Sequence, residues 1–484
     1  MANTPKLFFI TTPIYYVNDK PHIGHAYTTI AADVLARFYR QAGKDVFFLT
    51  GTDEHGAKIA AAARKAGQAP QDFVDKLAPI YQKAWDNLGV KYDGFIRTTN
   101  HEHEQLVKEL VQKLKTAGYL EKRTYKGLYC EGCERFLKQD ELVDGKCPDH
   151  HTVPTLSSEE NYFFLLSRFA DQLREKIEEN ELVIEPPARR NEILGKIKQG
   201  LDDVSVSRAG AGWGIPFPGD EGQTIYVWVD ALINYYSATR IFDTEDWEKH
   251  PADIHLMAKD ILWFHAVIWP AMLMALELPL PQKIFAHGFF TLDGKKMSKS
   301  VGNVIDPNIM VEKYGADAVR YALLREFPFG EDGDISEAKI ASRYEKDLGN
   351  ELGNLLQRVL VMINKYNIDC HSEISGAKST RLDSPLGEAG ESLGIKKEIE
   401  SCRFDTALAL IWDIIHKGNV AIDKEKPWEL AASDKEKLSS VLRAEYNRLT
   451  TITTLLEPFM PQTAKKMREQ LATLKPEPLF PRLQ

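Results

Sequence analysis

Leu7-Phe8-Phe9-Ile10, Pro21-His22-Ile23-Gly24-His25 and Val46-Phe47-Phe48-Leu49-Thr50 are the stretches that decide how this 484-residue chain folds. The first and last are apolar runs of strand length. Between them Ile23, Tyr27, Ile30, Ala31, Val34, Leu35 and Phe38 recur at helical spacing, with Pro21 preorganised for a first turn and Gly43 as a stop. Residues 6–12, 23–42 and 45–50 therefore read strand, helix, strand, a βαβ unit with parallel strands and a right-handed crossover. Further strands are expected at 224–229, 253–257 and 283–286. Asp53, Asp230, Lys259, Asp260 and His287-Gly288 follow these strands. Ligands of an open α/β sheet bind beyond the carboxyl ends of its strands, so a site here assembles from segments far apart in sequence.

A strand feeding a helix start presents backbone N–H groups and a positive dipole end, which favour a phosphate. Gly24 offers no side chain to block close approach, and His22 and His25 add imidazole donors. A second string, Lys296-Met297-Ser298-Lys299-Ser300, follows the turn Leu292-Asp293-Gly294. Its two lysines suit the negative charge that develops when pyrophosphate leaves. Either string alone is uninformative, because short His-x-Gly-His runs occur by chance and basic loops are usually just solvated. Together, in this order, they point to the triphosphate of ATP.

The length suggests three or four domains, and 43% hydrophobic residues suffice for their cores. No charged-then-apolar leader opens the chain, so a cytoplasmic protein is expected. The greasiest run, 261–280, contains His265, Pro270 and Glu277, which indicates a buried helix broken at Pro270, with no membrane association. The net charge of −9 argues against a broadly basic nucleic-acid surface. Residues 351–484 balance acid and base, so the acidic excess lies in 1–350 and any RNA contact has to be a local patch. Composition changes over about 116–215, which reads as an insertion. From about 336 onward the pattern is long and helical apart from a polar stretch at 372–390, suggesting a helical bundle.

Three of the five cysteines cluster in that insertion. Cys130, Cys133, Cys147 and His150 form C-x2-C-x13-C-x2-H, two tight pairs able to supply four tetrahedral zinc ligands. Soft thiolates and imidazole suit Zn2+, and a reducing compartment disfavours disulfides. His151 is an alternative to His150 as the fourth ligand. A closed four-ligand site leaves no place for substrate, so the expected role is structural.

The two phosphate strings resemble the signatures of class I aminoacyl-tRNA synthetases. Thr12-Pro13-Ile14-Tyr15-Tyr16-Val17-Asn18, Gly51-Thr52-Asp53-Glu54-His55-Gly56 and Val227-Trp228-Val229-Asp230-Ala231 further resemble the methionyl-tRNA synthetase family, over essentially the whole chain. That resemblance implies an α/β fold: a Rossmann-type parallel-sheet catalytic domain with a zinc-binding insertion, followed by an α-helical bundle that binds the anticodon. The implied divisions are 1–115 and 216–290 for the catalytic domain, 116–215 for the insertion, 291–345 for the lysine loop and stem-contact region, and 346–484 for the bundle. The implied activity joins methionine to tRNA(Met), initiator and elongator, through methionyl-adenylate, with ATP as substrate, Mg2+ beside it and one structural Zn2+.

By the same resemblance His22, His25, Lys296 and Lys299 are catalytic, and Gly24, Gly288 and Ser298 join them in binding ATP. Ile14, Tyr16, Asp53, Trp228, Ala231, Leu232, Tyr235, Ile261, His265 and Trp269 form the methionine pocket, with Asp53 on the ammonium group and Tyr16 and His265 about the sulfur. Ile268 stands where an aromatic wall is expected. Asn350, Asn354 and Arg358, spaced by four within roughly an 80° arc of a helix, and Trp428 read the anticodon. Without the resemblance, the aromatics would pass for core packing and the amides for an ordinary polar helix face. The chain ends soon after the helical run, so a monomer is expected. A synthetase for leucine, isoleucine or valine would carry a longer insertion. A simple nucleotidyltransferase would lack the helical domain, and a silent RNA-binding homologue would not need both phosphate strings.

Overall fold

The computed structural model describes residues 7–130, 135–137, 139–148, 151–210, 212–292, 294–296, 305–370 and 389–483. Six parallel strands form the central sheet, in the order Gly94–Arg97, Asp45–Asp53, Leu7–Tyr16, Ile254–Ala258, Lys283–His287, Val183–Glu185. The expected βαβ unit is its centre, with the helix Ile23–Gln41 as the crossover. That helix is buried along most of its length, because apolar side chains from Ile23 to Phe38 face both the sheet and the C-terminal helices. The register breaks between Thr11 and Ile14 and then sets Tyr16 opposite Asp53. Two residues assigned to one pocket thus end neighbouring strands.

Two local expectations fail. Residues 224–229 do not form a strand of the sheet: Asp220–Ile225 belongs to a separate antiparallel sheet, and Val227–Ile241 is a helix. Val227 and Val229 suit a strand by propensity, but the helix is buried on nearly every side and its packing overrides that weak preference. The 116–215 run is not wholly an insertion either, since Val183–Glu185 pairs with Lys283–Phe285 in the main sheet. The rest of that run builds an antiparallel sheet of Arg135–Leu137, Leu120–Cys130, Thr155–Phe164 and Val204–Ser205.

Asp306 caps the helix Pro307–Tyr314 and Gly315, at φ 82°, ends it. Beyond it lie the helices Ala316–Arg325, Asn354–Tyr366, Ala389–Glu400, Phe404–Glu425, Lys435–Leu456 and Pro461–Thr473. They share one apolar core with the first crossover helix. At that joint Asp33 and Arg320, both fully buried, form an ion pair at 2.7 Å. Arg37 also reaches Asp33, and Arg320 donates to the carbonyls of Pro458 and Phe459. Among the described residues no helix is long and apolar enough to cross a membrane.

Candidate active site

The first helix opens with a reciprocal cap made of its own two histidines. Gly24 N–H donates to His22 Nδ1 at 3.1 Å, and His22 N–H donates to His25 Nδ1 at 3.2 Å. Their rings stack at 3.7 Å. Accepting at Nδ1 leaves the proton of each neutral imidazole on Nε2. Ile23 N–H goes to the Ile305 carbonyl at 3.0 Å and His25 N–H to the His22 carbonyl. This corrects the expectation of open backbone donors: the amides of Ile23, Gly24 and His25 are engaged, so Nε2–H donors are what this helix start can offer an anion.

The Ile23–Ile305 bond also brings the chain just past the lysine loop onto the first signature. Lys296 ends the short strand Lys295–Lys296, paired with Thr291, and its side chain lies outside the described atoms. Ser298 and Lys299 lie outside the described residues. Gly288 follows Lys283–His287, where a Cβ would come within 2.1 Å of the Glu331 carbonyl. Close approach of that backbone already demands glycine.

The residues expected to meet the amino acid gather on one apolar cluster. Ile14, Tyr16, Trp228, Ile261 and Phe264 are partly buried against it, Leu232, Tyr235 and Trp269 are buried within it, and Ala231 is buried on the helix of Leu232. Residues 264–268 form a π-helical turn ahead of Trp269–Ala275, so His265 and Trp269 do not share an ordinary α-helical face. Pro270 has no N–H for the i−4 carbonyl, and the chain widens before it. Phe264 stacks on Trp228 at 3.8 Å, an aromatic pair beside the position where Ile268 stands. His265 Nδ1 lies 3.0 Å from the Ile261 carbonyl and Nε2 2.7 Å from Tyr235 Oη. Nδ1–H therefore donates to the carbonyl, and Nε2 accepts from the Tyr235 hydroxyl. Burial pushes the His265 pKa down to about 4, so this ring is neutral at working pH.

Behind Asp53 the loop is anchored on several sides. Glu54 is fully buried and takes two hydrogen bonds from Arg97, while Trp213 Nε1–H donates to its carbonyl at 2.6 Å. His55 Nδ1 and His103 Nε2 each lie 2.7 Å from opposite oxygens of buried Asp230. Burial alone would lower the His55 pKa, but the Asp230 charge and hydrogen bond, helped by Glu104 and Glu54, raise it. Burial likewise opposes ionisation of Asp230, and the two imidazoles outweigh it, lowering that pKa. His103 and Phe264 escaped the sequence reading as site residues. Glu54 and His55 were visible only as members of a quoted string, and Asp230 also as a residue following an expected strand.

Cys130 and Cys147 are buried, are not disulfide-bonded and pack with Leu137 and Leu142. Cys133 and His150 lie outside the described residues, and His151 is exposed at φ 56°. In the helical region Asn350 sits in a π-helical stretch, Tyr344–Gly353, so its spacing to Asn354 and Arg358 is not that of one α-helix. Both asparagines are exposed, Arg358 pairs with Asp423 at 2.6 Å, and Trp428 is 47% exposed.

Comparison with known proteins assigns this arrangement to a family. The model for class I tRNA synthetases (M) matches residues 8–153 and 150–360, and that for the anticodon binding domain of methionyl tRNA ligase matches 388–481. The chain belongs to the methionyl-tRNA synthetase family. It is 47% identical over 474 residues to a methionine–tRNA ligase of Caldanaerobacter subterraneus, covering 96% of this chain and 74% of the relative. The Bacillus subtilis ligase is 42% identical, with 100% and 79% covered. A solved Mycobacterium tuberculosis methionyl-tRNA synthetase in complex with methionyl-adenylate superposes with a TM-score of 0.88 at 37% identity, over 99% of this chain and 100% of that one. The synthetase is accordingly an ATP-dependent aminoacyl-tRNA ligase whose amino acid is methionine.

Proposed function

We propose that this synthetase runs its two half-reactions with the residues its sequence singles out. A methionine carboxylate oxygen attacks the α-phosphorus of ATP, and the bond to pyrophosphate breaks. A ribose hydroxyl at the end of tRNA(Met), initiator or elongator, then attacks the adenylate carbonyl and AMP leaves. Such chemistry depends on positioning and charge stabilisation more than on a general base. His22 and His25 donate through Nε2–H, Lys296 and Lys299 carry the charge of the departing pyrophosphate, and Gly24, Gly288 and Ser298 line the nucleotide. Mg2+ bound with the triphosphate supplies further charge neutralisation. The observation that supports the nucleotide half is the Ile23–Ile305 hydrogen bond, which ties the first signature to the chain that follows the lysine string.

Asp53 holds the ammonium group of methionine. Ile14, Tyr16, Trp228, Ala231, Leu232, Tyr235, Ile261, His265 and Trp269 receive its side chain, where a neutral His265 suits an uncharged thioether; the register that sets Tyr16 opposite Asp53 supports this. Burying a methionine-sized side chain is worth about 1.5 to 3 kcal/mol. Cys130, Cys133, Cys147 and His150 hold Zn2+, which stabilises the insertion; two buried thiols support this, and the exposure of His151 favours His150. Asn350, Asn354, Arg358 and Trp428 meet the anticodon, supported by exposed amides and indole. The protein works as a cytoplasmic monomer with divisions near 115, 215, 290 and 345, residues 183–185 returning to the sheet.

Methionine-dependent ATP–pyrophosphate exchange tests the reading. Lys299→Ala should slow exchange by about 10²-fold or more, as expected for one lost transition-state donor, with methionine affinity little changed. Equal losses in rate and methionine affinity would overturn the assignment.

A further inference from the structure

We propose that Asp230 is a positioning residue for the amino-acid site, coupling the loop that presents Asp53 to the helix that carries Trp228 and Tyr235. This rests on the reading of Asp53 as the ammonium-binding group.

The coupling is visible in three elements. Asp230 lies in the first turn of Val227–Ile241, two residues after Trp228 and five before Tyr235. One of its oxygens meets Nδ1 of His55, two residues beyond Asp53, and the other meets Nε2 of His103 on the helix His101–Thr116, each at 2.7 Å. His103 reaches the Asp230 helix a second time, with Nδ1 2.6 Å from Ser237 Oγ. Asp230, His55 and His103 are all buried, so water does not compete for these bonds. Neither imidazole is assigned to substrate, and the carboxylate is held by both rings. A side chain so placed acts on the pocket through its neighbours.

Asp53 and the Trp228–Tyr235 wall come from segments more than 170 positions apart, yet both must meet one methionine. A shift of about 1 Å between such groups can cost 10²-fold in turnover per bound substrate. Of the contacts around the Asp53 loop, those of the Glu54 side chain run to Arg97, Thr52 and Thr99, and its backbone meets Trp213 and Thr98. The His55–Asp230 bond is a side-chain tie from this loop to the Trp228 helix. Severing it leaves each half-pocket intact and changes their relative placement.

Methionine-dependent exchange on the full-length protein reads the effect. Asp230→Asn keeps the shape and removes the charge. It should raise the methionine KM by about 10- to 100-fold, the range of a lost charge-assisted hydrogen bond, while the ATP KM stays within about threefold. His55→Ala should do the same. His55→Asn, which returns an N–H donor close to the Nδ1 position, should recover most of the loss. An unchanged methionine KM in Asp230→Asn, equal rises in the methionine and ATP KM values, or equal defects in His55→Ala and His55→Asn would overturn the proposal. If Asp230→Asn does not fold, the two His55 variants decide alone. Asp53→Asn separates the layers: an unchanged methionine KM there overturns the ammonium assignment and this inference with it. A raised value beside an unaffected Asp230→Asn overturns the inference only.

Discussion

Asp33 and Asp230 are both carboxylates buried in helices, and they are held in opposite ways. Asp33 is met by the guanidinium groups of Arg37 and Arg320, Asp230 by the imidazoles of His55 and His103. A guanidinium stays charged at every pH a protein survives and offers a rigid fork of donors. An imidazole changes charge near neutrality. The first arrangement suits a permanent joint, and it stands where the first crossover helix, the helix Ala316–Arg325 and the 458–459 turn meet. The second joins the loop after Asp53 to the Trp228 helix, the two segments we propose to meet methionine.

The contrast is breakable. The largest effect should follow Arg320→Met, which leaves Asp33 buried with one partner fewer and strips hydrogen bonds from the Pro458 and Phe459 carbonyls. A loss of about 3 to 5 kcal/mol is expected, read as a lowered urea midpoint. A midpoint unchanged within error would show the joint to be dispensable. Next comes Asp230→Asn, costing about 1 to 3 kcal/mol for an imperfectly replaced buried acceptor. That cost should depend on pH. The folded His55 pKa is raised, so its contribution is complete below the ordinary imidazole value of about 6.5 and fades as pH climbs through the folded value. The gap between wild type and Asp230→Asn should therefore narrow as pH rises above about 6.5, while that for Arg320→Met stays flat. Parallel profiles would erase the distinction.

Acid probes the neutral histidines of the same site. Burial lowers the pKa of His265 to about 4 and depresses that of His255, so protons go preferentially to the unfolded chain as pH falls below about 6.5. Melting temperature should drop between pH 6.5 and 4, and less so in His265→Gln. Smallest of all is Asp423→Ala. Its pair with Arg358 is largely exposed, so a change of about 0.2 to 1 kcal/mol is expected, and a larger one would mean that the helical domain leans on that bridge.

The βαβ core and the histidine and lysine strings were legible because each is a local pattern of apolar spacing or charge. The helix starting at Val227 was not, since β-branched residues flanked by Thr224, Ile225 and Tyr226 read as strand until burial on all sides is known. Val183–Glu185 is too short to carry a period, and only its pairing with Lys283–Phe285 makes it part of the sheet. The histidines of the first signature could be named but not oriented, and their capping of one another's backbone is what sets the tautomers. Phe264 looked like any residue of a greasy run, and only the fold, with a π turn at 264–268, stacks it on Trp228.

Residue order by itself determined the family, the reaction class and which side chains carry charge, because signature spacing and apolar periodicity are properties of neighbours along the chain. Tertiary structure alone decided which oxygen of Asp230 meets which imidazole, which nitrogen of His265 bears the proton, and that Ile305 returns to Ile23. Those facts depend on distances between segments tens to hundreds of residues apart, and such distances exist only once the apolar faces have packed.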